Sequence, residues 1–300
     1  MSNQAQNSAR KLYLSKNHID SIDVDASGQR MIVGTSSLEG NTWDGGIVLL
    51  DNEGNVVSSE NTRVGVSMVR FCGSKLALAA KDDGCVAIYA VDKLDEVHNF
   101  RAHDDVVSCV AADPFLDNHF ASCSWDGSIH LWDLTSKSKP VSSHSKAHQG
   151  HVNSVTYSDY DCNIIVSTGW DGYVRLWDTR QGPSSCCSFV NMNQISSCVS
   201  FESNKTDILL VGSDAGDISI VDLRYSFSAV LHSSRVHKGR VRRIVSSPEA
   251  AESGLFVSTS DDTTYAICRS NNENIEELKR FVAPSFSSPL MLYQLPLSKP

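Results

Sequence analysis

Short runs of alternating apolar and polar residues follow one another along most of the chain, and tight turn sequences separate them in pairs. FASCSW, from Phe120 to Trp125, is followed by Asp126-Gly127 and then by SIHLWDL. IVSTGW, which ends at Trp170, is followed in the same way by Asp171-Gly172 and YVRLWDT. Alternation with a period of two predicts half-buried β-strands, and an Asp-Gly pair between two such runs predicts a hairpin with a two-residue turn. The pattern therefore predicts an all-β protein.

One set of four residue types occurs twice with the same spacing. The first set is His103, Ser122, Asp126 and Trp132, and the second is His148, Ser167, Asp171 and Trp177. Each member of the second set lies 45 positions after its counterpart. A repeat of this length built from short strands is typical of propeller blades, which are four-stranded sheets that bury their faces only against neighbouring blades.

Weaker copies of the same unit flank the two strong ones. Their turns are Asp44-Gly45, Asp83-Gly84, Ala215-Gly216 and Asp262-Thr263, and successive turns along the chain are 39 to 47 residues apart. Six blades are visible in this way. We expect a β-propeller of seven blades, because pairing the chain ends into one last blade removes the exposed sheet edges.

The expected seventh blade is degenerate. The strands FVAPSF and LMLYQL lie in the segment 271–300, and an N-terminal strand, KLYLS, completes the blade. A ring of six blades with a loose tail is the alternative. Residues 1–9 are expected to form a flexible tail, and residues 10–300 a single propeller domain.

The repeated set of four residues resembles the WD-repeat family. In that family the four side chains form a hydrogen-bonded chain, so Asp126 is expected to accept from His103, and Ser122 to link His103 to Trp132. His148, Ser167, Asp171 and Trp177 are expected to form a second chain. A buried polar group without a partner costs about 1–3 kcal/mol, so this chain stabilises a blade only when it is complete. Blade six keeps His237, Ser258 and Asp262 but has Cys268 in place of the tryptophan.

The same residue types also occur in hydrolase triads. A catalytic nucleophile occurs once and beside a pocket, whereas this set repeats with the blades and ends at a tryptophan. We therefore expect a structural role for the set, no catalytic residue and no enzymatic activity.

Charge and composition narrow the classes of partner. The chain has 26 basic and 35 acidic side chains and a net charge of −9, which disfavours nonspecific binding to nucleic acid and favours basic polypeptides. The run HKGRVRR, from His237 to Arg243, is a basic exception that could dock an acidic partner or simply be exposed. No apolar stretch reaches the ~20 residues that span a bilayer, so no membrane association is expected.

Metal and cofactor sites are not expected. His144, His148 and His151 form a histidine cluster, but His148 already belongs to the set of four, and no cysteine or carboxylate lies at a ligand spacing beside the other two. No glycine-rich phosphate loop follows a strand and begins a helix. Nine cysteines, an odd number spread through strand-like runs, fit a reducing compartment.

Blade one has a distinctive insertion, GTSSLEGNTWDGGIVLLD, from Gly34 to Asp51. This insertion, the HDDVVS segment that begins at His103 and the LWDTR sequence that ends blade four resemble the WD-repeat subunits of the methylosome. The resemblance implies a non-catalytic scaffold of the cytoplasm and nucleus that binds the methyltransferase making symmetric dimethylarginine. It also implies that the scaffold and the methyltransferase form a hetero-oligomer, specifically a hetero-octamer. The complex would then present basic substrates such as Sm proteins and histone tails for methylation.

The resemblance places the methyltransferase contact in the insertion. Trp43 aligns with a tryptophan that contacts the enzyme in the family, and Ser36, Leu38, Gly40 and Asp44 are the accompanying candidates. An indole on an extended loop can bury ~150–250 Å² against a partner. The alternative is that Trp43 folds back over the rim of its own blade.

A second binding function is also open. LWDTR ends at Arg180 and IVDLR ends at Arg224, and both resemble the Trp-Asp-x-Arg box by which some propellers bind the adaptor of cullin-4 ubiquitin ligases. An ion pair with a neighbouring group explains either arginine equally well.

Overall fold

The computed structural model describes residues 17–39, 42–136, 139–181, 186–203, 205–223, 229–247, 254–271 and 274–282. These residues form six antiparallel sheets of four strands each. The described residues contain no helical segment that could span a bilayer. The expectation of an all-β propeller is therefore confirmed.

The 24 strands follow one another four to a sheet, and each sheet is called a blade. Blades one and two contain β1 (His18–Val24), β2 (Arg30–Glu39), β3 (Thr42–Asp51), β4 (Val56–Asn61), β5 (Val66–Cys72), β6 (Leu76–Lys81), β7 (Cys85–Ala90) and β8 (Asp95–Arg101). Blades three and four contain β9 (Val107–Ala112), β10 (His119–Ser124), β11 (Ile129–Asp133), β12 (Ser142–His144), β13 (Val152–Tyr157), β14 (Ile164–Gly169), β15 (Tyr173–Asp178) and β16 (Cys186–Asn191). Blades five and six contain β17 (Ser196–Phe201), β18 (Ile208–Ser213), β19 (Asp217–Asp222), β20 (Ala229–Arg235), β21 (Val241–Ser246), β22 (Leu255–Ser260), β23 (Thr264–Asn271) and β24 (Asn274–Val282).

The first strand of every blade lies on the inside of the ring. Each of these inner strands packs against the inner strand of the next blade, from β1 and β5 through to β17 and β21. Together the six inner strands line a central channel of about 980 Å³. A guanidinium links the last described blade to the first, because Arg243 Nη1 donates to the Ile22 carbonyl at 2.9 Å.

The core lies between blades rather than within one sheet. Leu78 and Ile88 of blade two pack with Val110, Phe120 and Trp132 of blade three. The middle strands are therefore buried on both faces, and five of the six residues of β6 are buried. The outermost strands face solvent, as in β4. Half-burial, which the alternating pattern predicted, is wrong for the middle strands because each blade has a neighbour on either side.

The hairpin turns are longer than predicted. In blade three the Gly127 amide donates to the Ser124 carbonyl at 3.2 Å, and Gly127 alone adopts a positive φ, of 84°. A two-residue type I′ turn would need positive φ at both central residues, so the expected turn is wrong, and a three-residue loop that ends in a left-handed glycine takes its place. Thr263 occupies that left-handed position in blade six, with a φ of 65°.

Blade one departs from the expected register. Asp44 and Gly45 lie within β3, where they pair with Ser37 and Ser36 of β2. The prediction of a turn at this Asp-Gly pair is wrong, because the strand ladder continues outward as far as the pairing of Glu39 with Thr42. The insertion therefore lengthens a hairpin, and both of its strands have ten residues.

The predicted seventh blade receives no support from the described part of the chain. Phe281 and Val282, the start of FVAPSF, are the last residues of β24, which is the outer strand of blade six. Residues 283–300, which include LMLYQL, lie outside the described residues, as do residues 1–16, which contain KLYLS and the expected N-terminal tail. The described chain thus has six blades, and the limits of the single domain stay a prediction.

Candidate protein-binding face

The repeated set of four side chains forms a continuous hydrogen-bonded chain in blade three. The Trp132 indole donates to Ser122 Oγ at 2.8 Å, and Ser122 Oγ lies 2.7 Å from His103 Nε2. His103 Nδ1 lies 3.3 Å from Asp126 Oδ2 and 2.8 Å from Ser128 Oγ. Burial alone would raise the pKa of the Asp126 carboxyl, but hydrogen bonds from His103, Ser128 and the Asp104 backbone hold that pKa well below its usual range.

Blade four repeats this geometry. The Trp177 indole donates to Ser167 Oγ at 2.9 Å, Ser167 Oγ lies 2.7 Å from His148 Nε2, and His148 Nδ1 lies 2.8 Å from Asp171 Oδ1. Burial lowers the pKa of His148, against the opposing effect of Asp171. His148 Nδ1 also lies 2.6 Å from Arg175 Nη1, which donates to Asp171 Oδ2 at 2.7 Å, so the guanidinium joins the polar chain of this blade.

In blades one, two and five the serine of the polar chain is missing together with the tryptophan. The register places Leu50, Tyr89 and Val221 where Trp132 stands in blade three. The same register places Val33, Ala79 and Val211 at the position of Ser122. All six of these side chains are buried and apolar apart from the Tyr89 hydroxyl, which donates to Glu96. Those blades pack without leaving half of a polar chain unpaired.

Ser122 and Ser167 cannot act as surface nucleophiles. Both residues are completely buried, and each hydroxyl lies between an indole and an imidazole. The alternative of a hydrolase triad has no open position at which a substrate could meet either oxygen. The geometry gives these two serines a structural role.

The three clustered histidines have separate environments. His144 packs against Trp177 with ring centroids 4.7 Å apart, and His148 belongs to the chain of blade four. His151 stacks on Trp125 and Trp170, with centroid distances of 4.8 and 4.1 Å. The part of the chain that the structure describes holds no group of three or more His, Cys, Asp or Glu side chains arranged for a metal ion.

Trp43 lies near the tip of the lengthened hairpin of blade one and is 48% exposed. Its cross-strand neighbour Leu38 is also exposed. The Trp43 indole donates to Asp82 Oδ2 of blade two at 2.7 Å and lies over Gly65, where an added Cβ would come within 2.7 Å of Nε1. Trp43 therefore lies on a strand that reaches toward the next blade, and not on a loop or folded over its own blade.

The Asp82 carboxylate fixes the orientation of this indole. Burial raises the pKa of Asp82, the hydrogen bond from Trp43 lowers it, and the nearby Asp20 and Asp83 raise it further. An indole N–H that faces a carboxylate leaves the apolar ring open to solvent. The hairpin tip thus presents a fixed and partly apolar surface.

The other candidates in the insertion have different environments. Ser36 donates to Asp20 Oδ2 at 2.5 Å beside the channel. Asp44 accepts from the Gly45 amide at 2.8 Å and from Asn61 Nδ2 at 3.2 Å. Gly40 lies outside the described residues. Among these candidates, Leu38 and Trp43 are therefore the pair of neighbouring, exposed apolar side chains.

The candidate adaptor-binding arginines receive little support. Arg180 makes two hydrogen bonds to Asp178 of the same strand end, at 2.8 and 2.6 Å, and holds the pKa of that carboxyl at about 2. Its ion-pair partner is thus the aspartate of its own Trp-Asp sequence. Arg224 lies outside the described residues.

The basic run between His237 and Arg243 is largely paired. Arg240 lies 3.2 Å from Asp214, Arg242 lies 2.5 Å from Asp261, and Arg243 contacts blade one. These ion pairs reduce the positive field that an acidic partner would meet.

Two further exposed tryptophans were not among the sequence candidates. Trp125 and Trp170 precede the turns of blades three and four and are 41% and 47% exposed. Trp170 lies 45 residues after Trp125, the same spacing as the repeated set of four, so the sequence indicated that they occupy equivalent positions in their blades. The sequence could not show that both side chains remain outside the core. Trp43, Asp82 and Trp125 all border the central channel at the turn end of the blades, so these indoles share one face of the ring.

Comparison with known proteins agrees with this architecture. The family described as WD domain, G-beta repeat matches residues 94–133 and 138–178, which cover most of blades three and four. Methylosome protein WDR77 of Xenopus laevis is 30% identical over 250 residues, which cover 79% of this chain and 72% of that protein. A ribosome biogenesis protein WDR12 homolog of Chlamydomonas reinhardtii is 30% identical over 105 residues, 31% of this chain and 23% of that protein. The extent of the first match and the propeller fold together show that this chain belongs to the family of WD-repeat methylosome proteins.

Proposed function

We propose that this propeller is a scaffold that binds a type II protein arginine methyltransferase and helps present arginine-rich substrates for symmetric dimethylation. The similarity to Methylosome protein WDR77 supports an assembly of this class. The propeller and the methyltransferase are proposed to form a hetero-oligomer, specifically a hetero-octamer. This complex is proposed to act in the cytoplasm and nucleus.

The observation that carries the proposal is the exposed pair of Leu38 and Trp43. They face each other across the outer end of a hairpin whose strands have ten residues, whereas β6 and β7 of blade two have six each. A half-exposed indole held by a carboxylate loses little conformational entropy on binding, and tryptophans are enriched among the residues that dominate interface energies. This pair therefore forms the centre of the proposed methyltransferase contact.

The test compares two hairpin variants with a control at another exposed apolar position. Trp43→Ala and Leu38→Ala are each mixed with a type II methyltransferase, and affinity is measured by calorimetry. We expect Trp43→Ala to weaken binding about 30-fold or more, the effect of an interface residue worth about 2 kcal/mol. Phe115→Ala removes an aromatic ring of similar exposure from the loop between β9 and β10 and should bind as wild type.

The thermal unfolding of Trp43→Ala serves as the fold control. The transition should shift little, because the indole is half exposed and makes one described hydrogen bond. Wild-type affinity for both hairpin variants would overturn the proposed contact. Loss of binding together with a collapse of the thermal transition would assign Trp43 a structural role instead.

A further inference from the structure

Five blades place one residue at the same backbone position, directly before the turn between their second and third strands, and three of the five residues line the channel. The residue before each turn is Asp82, Trp125, Trp170, Asp214 or Asp261. The backbone amide of each donates, at 2.9 to 3.1 Å, to a carbonyl of the segment that leads into its blade, in Gly65, Val106, His151, Ile195 and Arg240 respectively. These matching hydrogen bonds show that the five residues occupy equivalent backbone positions, so the chemistry of their side chains can be compared.

The carboxylates at this position in blades five and six are neutralised. Arg240 pairs with Asp214, and Arg242 pairs with Asp261. Blades three and four have indoles there instead, and the His151 ring contacts both. The His151 ring is nearly parallel to Trp125, at 8°, and is tilted by 33° from Trp170. Trp125, His151 and Trp170 form a fixed aromatic surface that stays open to solvent.

Two pairs of acidic residues continue from this aromatic surface toward blade two, because Ser124, the neighbour of Trp125, donates from its hydroxyl to the Asp105 carbonyl at 3.1 Å. Asp82 and Asp83 belong to the turn of blade two, and Asp104 and Asp105 lead into blade three. The two pairs are adjacent, because a Cβ added to Gly84 would lie 3.4 Å from the Asp105 carbonyl. Among the ion pairs of the described residues none involves any of these four carboxylates, which we call the acidic edge. This part of the channel mouth therefore combines exposed indoles with uncompensated negative charge.

We propose that the aromatic surface and the acidic edge together bind an extended, arginine-containing segment of a basic protein. A guanidinium is planar and weakly hydrated, so it stacks on an indole while its N–H groups donate to carboxylates. An ammonium group lacks the planar face and the fork of donors. The proposal rests on the proposed function only for the role of this segment as a methylation substrate.

The first experiment measures the binding of a fluorescein-labelled peptide of alternating glycine and arginine to the full chain by fluorescence anisotropy. Trp125→Ala/Trp170→Ala should weaken binding about tenfold, since two exposed cation–π contacts contribute roughly 0.5–1 kcal/mol each. A peptide with lysine at every arginine position should bind more weakly than the arginine peptide. Asp104→Asn/Asp105→Asn should weaken binding and reduce its dependence on salt.

Matched variants separate this proposal from the methyltransferase contact. Leu38→Ala, in which Asp82 keeps its hydrogen bond from Trp43, should bind the peptide as wild type does, and Trp125→Ala/Trp170→Ala should bind the methyltransferase as wild type does. If Leu38→Ala and Trp43→Ala both keep full methyltransferase affinity, the proposed function fails while the peptide site stands. Thermal unfolding of the double variant checks its fold, and the peptide comparison on the wild-type chain does not depend on any variant.

Three results would overturn the proposal. Equal binding of the arginine and lysine peptides would reduce the site to general charge attraction. Unchanged peptide binding by a folded Trp125→Ala/Trp170→Ala variant would remove the aromatic surface from the site. Loss of methyltransferase binding by that variant, with the peptide affinity intact, would assign the indoles to the enzyme interface.

Discussion

At the scale of single residues, the buried polar chains of blades three and four behave as units. Ser122 and Trp132 occur together, and the blades with Val33 or Ala79 at the serine position have no tryptophan to satisfy. Blade six keeps part of the chain. His237 Nε2 lies 2.8 Å from Ser258 Oγ, and His237 Nδ1 lies 2.9 Å from Thr264 Oγ1. Cys268 occupies the position of the tryptophan. The sequence predicted the members of each chain, since their spacing repeats. It could not predict that Ser128 and Thr264 would also contact the histidines.

Removing the central hydroxyl of one chain should destabilise the fold. Ser122→Ala leaves both the Trp132 indole and His103 Nε2 buried without their shared partner, and we expect the free energy of unfolding in urea to fall by about 1–3 kcal/mol. Ser59→Ala, at an exposed serine of β4, should change it by less than about 0.5 kcal/mol. Equal effects of the two substitutions would contradict the importance of the chain.

Buried histidines should make the protein less stable as the pH falls. Burial lowers the pKa of His130 to about 4, and the neighbouring His103 adds to the shift. In the unfolded chain a histidine has a pKa of about 6.5, so between pH 6.5 and 4 the unfolded chain binds a proton that the folded chain does not. The free energy of unfolding should therefore decrease as the pH falls from 6.5 toward 4. The pKa values of His148 and His237 are lowered too and contribute in the same direction.

A substitution of His130 tests this linkage. His130→Gln removes the titrating group and keeps a donor for the Ala102 carbonyl, so stability should depend less steeply on pH between 6.5 and 4.5. Denaturant unfolding at several pH values measures the slope. Asp126 and Asp171, whose pKa values are lowered, lose their contribution only at more acidic pH. A slope identical to that of wild type would show that His130 does not titrate differently in the folded state.

At the scale of elements, hairpins were predictable and their turn conformations were not. The Asp-Gly signal located three turns, at Gly84, Gly127 and Gly172, but in blade one the same pair lies inside β3. Gly45 is needed there for space, because a Cβ would come within 2.2 Å of the Val64 carbonyl. Glycine serves both turns and close backbone approaches, so the dipeptide alone cannot separate the two uses.

Thr263 and Gly172 occupy the same left-handed turn position and give a reciprocal test. Thr263 is β-branched at a φ of 65°, a conformation that costs such a residue roughly 1–2 kcal/mol. Thr263→Gly should raise the thermal transition, although the flexible unfolded glycine offsets part of the gain. Gly172→Thr, at a φ of 75°, should lower the transition. Shifts of the same sign for both variants would contradict this account of the turns.

At the scale of the whole molecule, the number of blades and the junction of the ring were beyond sequence reasoning. The repeat predicted stacked blades, but β24 took the residues expected to begin a seventh. The contact of Arg243 with Ile22 joins residues 221 positions apart, and no local pattern encodes it. The exposure of Trp125 and Trp170 likewise depends on how neighbouring blades meet.

The junction between blades six and one should depend on Arg243. Its guanidinium is mostly buried, donates to Ile22 and lies 3.8 Å from Asp23. We expect Arg243→Gln to lower the free energy of unfolding by about 1–3 kcal/mol, because a buried carbonyl loses a charged donor. Arg242→Gln, which breaks an exposed ion pair with Asp261, should cost no more than about 1 kcal/mol. Urea unfolding of both variants measures the difference, and a larger loss for Arg242→Gln would contradict the proposed junction.

The proposed function depends on binding at the exposed hairpin tip of blade one and on no reactive side chain. Native mass spectrometry of the wild-type chain or Trp43→Ala mixed with a type II protein arginine methyltransferase tests it most directly. The account predicts a mixed oligomer with equal numbers of both chains for wild type, and separate species for Trp43→Ala. Absence of any mixed species with wild type, or the same oligomer with both chains, would contradict it.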